Sequence, residues 1–163
     1  MIVTDIIIDG LLAAVAGVGF GAISHPPKRA FLYIALLAAI GHALRFCLMN
    51  YLGIDIATSS FFAALTIGMG SLWFGRLIYC PMTVLYIPAL LPMIPGMYAY
   101  RSLFALVMFM QHLKEPELLG KYMQDIFSNS TVTVSVVFLL SAGATLPIFI
   151  FQKRAYSLTR KKQ

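Results

Sequence analysis

Leu91-Pro92-Met93-Ile94-Pro95-Gly96 interrupts an apolar stretch, residues 82–112, that is too long for one straight membrane helix. As continuous helix it would reach roughly 46 Å at about 1.5 Å per residue, against a hydrocarbon core about 30 Å thick. Pro88, Pro92 and Pro95 each remove a backbone donor and push the preceding residue out of helical geometry. Gly96 permits a tight reversal. Broken backbone at membrane depth is tolerated only where protein or a water-filled cavity satisfies it. In transporters such breaks are where half-helix ends meet the substrate. The stretch points to an all-α polytopic membrane protein that moves something.

The rest of the chain agrees with that class. Its 163 residues are 60% hydrophobic and 11% charged, where a soluble domain carries about 25% charge. One membrane domain, residues 1–163, accounts for the whole length. Five apolar segments have spanning length: residues 2–24, 30–52, 56–78, 82–112 and 126–151. The fourth is broken at Pro92, Pro95 and Gly96. His25-Pro26-Pro27-Lys28-Arg29 and Gly53-Ile54-Asp55 read as turns. Residues 113–125 carry Glu117 and Lys121 at i, i+4, with Leu118, Leu119, Tyr122 and Met123 at helical spacing beside them. That pattern predicts a short interfacial helix.

Charge sets the orientation. With the N-terminus outside, five spans leave the C-terminus in the cytoplasm. Lys28, Arg29, Arg76, Lys153, Arg154, Arg160, Lys161 and Lys162 then lie inside, and only Lys114 and Lys121 lie outside. This is the Lys/Arg bias of inner-leaflet anchoring. Counting the broken segment as two full crossings would put the basic C-terminus outside. The net charge of +6 is therefore a membrane signature; no basic patch interleaved with aromatics suggests nucleic acid. Asp5 and Asp9, with no early Lys or Arg, are unlike a secretory signal peptide.

Two arginines fall inside spans. Span two has its midpoint near Gly41, with His42 and Arg45 just past it, one turn apart on one face. Span four has its midpoint near Met97, with Pro95, Gly96, Tyr98 and Arg101 around it. Counting along two helices thus places His42, Arg45, the break and Arg101 at similar depth. By the same count all six acids lie toward the outer side and none at this depth. A membrane-buried cation costs several kcal/mol and faces a cavity or a partner. Unpaired arginines call for an anion from elsewhere: a substrate carboxylate held by the guanidinium fork, or an acid on another subunit. The plainer alternative is that each arginine bonds carbonyls freed by the prolines, or snorkels to a headgroup. His42 reads either as a substrate or proton group or as a packing residue, and Tyr98 and Tyr100 as site lining or packing. Arg76, near a cytoplasmic end of its span, reads as an anchor.

Other features carry less. Gly17-Val18-Gly19-Phe20-Gly21 lacks the strand and the Lys-Ser/Thr of a phosphate loop. Ala13, Gly17 and Gly21 form a small-residue ladder for close helix packing, as do Thr66 with Gly70 and Ser141 with Thr145. Cys47 and Cys80 have no metal-type neighbours. No ATP-binding motif is present, so transport would draw on gradients or on another chain. Neither a cofactor nor a metal is expected. Ser102 with His42 is a weak nucleophile–base pair, and the chain is not expected to be an enzyme.

Ile40-Gly41-His42-Ala43-Leu44-Arg45, followed by the run from Leu91 through Pro92, Pro95, Gly96 and Tyr98 to Arg101, resembles the threonine/serine exporter family. More closely, the chain is similar to that family's small, separately encoded subunit, which corresponds to the C-terminal half of the fused exporter. The likeness covers nearly the whole chain, including Pro27 and Arg29. It implies a bacterial cytoplasmic (inner) membrane location and a larger partner subunit of the same family; an odd number of spans with the N-terminus outside suits pairing with a related unit of inverted topology. It also implies export of small carboxylates: threonine and serine, or succinate-like dicarboxylates. His42, Arg45, Pro92, Pro95, Gly96, Tyr98 and Arg101 are the candidate substrate-binding residues. The competing reading is a structural subunit that stabilises its partner and touches no substrate.

Overall fold

The computed structural model describes residues 2–151. The basic tail invoked for orientation, Lys153, Arg154, Arg160, Lys161 and Lys162, lies outside them. Six helices follow one another: α1 (Ile2–Ile23), α2 (Ala30–Leu52), α3 (Ile56–Leu77), α4 (Met82–Leu90), α5 (Gly96–Gln111) and α6 (Pro116–Ile150), with a 3-10 turn, Leu91–Met93, after α4. No strand occurs among the described residues. Thr4–Ile23, Ala30–Leu52, Ile56–Leu77 and Pro116–Ile150 are each long and apolar enough to cross a bilayer. Met82–Met93 and Gly96–Gln111 reach that length only together, which would make a fifth, broken crossing. Large apolar side chains such as Leu11, Leu32, Trp73, Leu103 and Phe127 stand exposed, as a lipid-facing surface requires.

The chain forms two compact bodies. The first holds α1 to α4, the 3-10 turn and the end of α6 from Leu139. Its centre is α2, whose buried face is Ala30, Ile34, Leu37, Ala38 and Gly41. These are small residues or slim aliphatics because neighbouring helices come close. A Cβ on Gly17 of α1 would lie 2.9 Å from the Ala38 Cβ. The ladder read at Ala13, Gly17 and Gly21 is thus an internal seam, closed by α2 and by Pro88 of α4. In α3 and α6 the close residues are Gly68, Gly143, Ala144 and Pro147, while Thr66 and Ser141 are exposed. The buried hydroxyls of Ser60 and Ser71 donate to carbonyls of their own helix, Ile56 at 2.6 Å and Gly68 at 2.7 Å, so the interior keeps no unsatisfied polar side chain among the described residues. Gly53 caps α2 in the left-handed conformation, φ 63°, and Asp55 caps α3 by accepting from the Thr58 N–H at 2.8 Å.

The second body, Ile94–Phe138, contains α5 and the first two-thirds of α6. Ser102 and Ser130 join the two helices through their hydroxyls, 2.5 Å apart. Near the connecting turn the His112 and Tyr122 rings lie 5.7 Å apart. Pro116 opens α6, where its missing N–H costs nothing.

Three expectations need correction. Residues 113–125 do not form a separate interfacial helix; after a turn at 112–115 they are the first turns of α6, continuous to Ile150. Further along, Asn129, Thr131 and Thr133 spend their side-chain donors on carbonyls four residues back, Asp125, Phe127 and Asn129. Pro88 does not end its helix, which runs on to Leu90; the ring is buried beside Gly17 and Gly21, which leave room for it. Gly96 makes no reversal. It is the first residue of α5 and has no positive φ. The turn is made one residue earlier, by Pro95 at φ −79°, ψ 65°, with the Gly96 N–H donating to the Ile94 carbonyl at 2.8 Å. This is an inverse γ-turn, and proline's locked φ suits it.

Candidate functional site at the helix break

The break leaves backbone acceptors open. In a continuous helix the Pro92 carbonyl would take the N–H of Gly96, but that donor is spent on Ile94, and Pro95 offers no N–H at all. Two side chains of α2 fill the gap. Arg45 Nη1 donates to the Met93 carbonyl at 2.8 Å, and His42 Nε2 lies 3.4 Å from the Pro92 carbonyl. His42 and Arg45 can both reach because they sit one turn apart, at i, i+3. Gly41 beside them clears the way: a Cβ there would run into the buried Ile67 side chain.

A third side chain completes the cluster. His42 Nδ1 is 2.6 Å from Asp9 Oδ2 of α1. Gly10 brings the α1 backbone against α2, where its added Cβ would meet the Ala39 carbonyl at 3.3 Å. His42 Nε2 also lies 3.1 Å from Arg45 Nη2. A guanidinium only donates, so in that contact Nε2 presents its lone pair and Nδ1–H donates to Asp9. The result is a carboxylate, an imidazole and a guanidinium in series, ending on the Met93 carbonyl. It is the only carboxylate–cation or carboxylate–imidazole pairing among the described residues; Glu117 and Lys121 form none.

Of the residues singled out in the sequence, His42, Arg45 and Pro92 therefore meet in the first body. Pro95, Gly96, Tyr98 and Arg101 belong to the second. Pro95 is buried and shapes the turn, Tyr98 is half-buried, and Arg101 is exposed with no hydrogen bond or ion pair among the described residues. The expectation that no acid lies at the depth of Arg45 is overturned by Asp9. Asp9 lies two turns into α1, deeper than Asp5 of its first turn, and that depth alone hints at a buried role without naming His42 as the partner. Arg76 lines a cleft of about 240 Å³ with Met69, Leu72, Trp73 and Phe151.

The model of the family described as "Threonine/Serine exporter, ThrE" matches residues 9–150 of this chain. The chain belongs to the threonine/serine exporter family. The match begins at Asp9 and ends at Ile150, so the exporter-family region contains the whole Asp9–His42–Arg45 series and the break it serves. Membership agrees with a multi-pass membrane protein with a role in transport. No solved structure matches the chain.

Proposed function

We propose that this chain is the small subunit of a gradient-driven exporter of small carboxylates, threonine and serine or a succinate-like dicarboxylate, working with a larger subunit of the same family in the bacterial cytoplasmic membrane. The observation that carries the reading is Arg45. A guanidinium inside an apolar span is held at a helix break, Nη1 on the Met93 carbonyl and Nη2 against His42, and its planar fork suits a carboxylate. Arg101, exposed on α5, is another cation with no ion pair among the described residues. Transport, with no chemistry performed on the substrate, accounts for both.

The test is efflux from preloaded cells that lack their own exporters and express this chain with the larger subunit. Threonine, serine and succinate are followed in parallel. Partner-dependent loss of one of them is the expected result. Arg45→Ala and Arg101→Ala are each expected to cut the rate on the order of 10- to 100-fold, the worth of a lost hydrogen bond to a charged group, with the assembled complex intact. Undiminished efflux from both variants would overturn the reading.

One observation favours a second reading. Arg45 already has internal partners, Met93 and His42, and an arginine that only closes a helix break would serve a structural subunit. In that case Arg45→Ala loses the complex itself, visible as failure to co-purify.

A further inference from the structure

The Nε2 atom of His42 has two neighbours that cannot be satisfied together. Arg45 Nη2, at 3.1 Å, requires a lone pair on it. The Pro92 carbonyl, at 3.4 Å, requires a proton on it. We propose that His42 Nε2 is the proton-binding atom of this protein and that its protonation releases one arm of Arg45 to take a substrate carboxylate. This rests on the carboxylate reading above and names how that site is regulated.

The exchange follows from the donor and acceptor inventory. With Nε2 bare, Nδ1–H donates to Asp9 and Nε2 accepts from Arg45. A proton from water that binds Nε2 makes an imidazolium, whose new N–H turns to the Pro92 carbonyl. Arg45 Nη2 then faces a donor and a like charge, and gives up the contact. Nη1 stays on Met93, so the guanidinium remains anchored with its second arm free. The series Asp9, His42, Arg45 changes from net zero to net +1, which favours an anion. Loss of the proton reverses each step, so bound proton and bound carboxylate each favour the other.

Asp9 is the positioning residue: it holds Nδ1 protonated, so the entering proton has only Nε2 to occupy. No other ionisable side chain competes for His42 among the described residues of the helices around it. On α1 the nearest acid, Asp5, is exposed one turn earlier. On α3 the only ionisable group within the helix is Arg76, in its last turn. On α4 it is Tyr86, and on α2 itself Tyr33, Cys47 and Tyr51 stand beside Arg45.

The experiment uses the full chain with its partner subunit in lipid nanodiscs, with ¹⁵N-imidazole histidine and the substitutions His25→Gln and His112→Gln, so that the His42 signal of this chain is identified by its loss in His42→Gln. Succinate, threonine and serine are the probes. At about pH 8.5 the neutral ring is expected as the Nδ1–H tautomer. Carboxylate binding is expected about tenfold tighter at about pH 5.5 than at about pH 8.5, and added carboxylate should raise the protonated fraction of His42 at constant pH. His42→Gln should abolish that pH dependence, and Asp9→Asn, which keeps an acceptor for Nδ1–H but removes the charge, should weaken it. An Nε2–H tautomer, or pH-independent carboxylate binding by the unsubstituted protein, overturns the proposal while leaving the carboxylate reading standing. The Nδ1–H tautomer with no binding of any probe at either pH overturns the carboxylate reading and this proposal with it. The tautomer is read without substitution at Asp9 or His42, so a failure of either variant to fold does not remove the test.

Discussion

At the scale of single residues, the glycines separate by what stands opposite them. A Cβ on Gly143 would lie 2.6 Å from the Phe61 carbonyl, which is backbone of a packed helix and has nowhere to go. Gly143→Ala is expected to destabilise the chain by about 1–3 kcal/mol, the usual cost of overpacking. Gly19 has nothing within 4 Å of its would-be Cβ, and Gly19→Ala should be neutral or stabilising by up to about 1 kcal/mol through helix propensity. Thermal melts of the two variants in one detergent check both. Equal melting temperatures would mean that the α3–α6 seam is looser than these distances say. The same scale marks where sequence reading ends. His42 and Arg45 could be paired from their spacing, because one helix fixes both. Asp9 could not, because its meeting with His42 depends on how α1 packs against α2, and counting along separate helices placed it toward the outer side.

At the scale of elements, the cap on α3 carries a pH signature. Hydrogen bonds from the Thr58 N–H and hydroxyl, ahead of smaller contributions, lower the Asp55 carboxyl below its ordinary value of 3.8. A carboxyl lowered in the folded state adds stability that is fully present above its unfolded pKa and is lost as pH falls through the folded value. Asp55→Ala is therefore expected to lower stability on the order of 1 kcal/mol at neutral pH. The gap to the unsubstituted chain should begin to close below about pH 4. Melts of both proteins from neutral to acidic pH measure it; a gap that persists unchanged at the acid end would assign the effect to something other than the ionised cap. Helices α1, α2 and α3 were legible to within a residue or two, since their apolar runs are long and end in turn residues. The break was legible too, from its prolines. What was misread were elements whose limits are set by hydrogen bonds out of view in the sequence. The backbone of α6 runs unbroken from Pro116 through the polar residues up to Asp125, and the γ-turn at Pro95 leaves Gly96 no special conformation to adopt.

At the scale of the whole molecule, the question is which way it faces. Lys28 and Arg29 follow α1 and Arg76 ends α3, so an alternating path puts all three on one side. Lys114 lies between α5 and α6 and Lys121 in the first turns of α6. The Lys/Arg excess favours the cytoplasm for the first group. If the helices on either side of the break make one crossing, the C-terminus shares that side. A reporter active only in the cytoplasm, fused after Gln163, is expected to be active, and one active only outside is expected to be silent. The opposite pattern would mean either that α4 and α5 are two separate crossings or that the whole chain is inserted the other way. The membrane class was legible from composition alone, because lipid acts on whole segments and needs no knowledge of side-chain packing.

The γ-turn at Pro95 has one further consequence. A glycine hinge would leave the Pro92 and Met93 carbonyls free to wander, and each encounter with a guanidinium would have to gather them again. Proline removes that search in advance: the backbone entropy of holding two acceptors apart is surrendered once, when the chain folds. What changes partner at the break is then a side chain pivoting against a rigid backbone, and such an exchange can repeat many times a second without any helix having to melt.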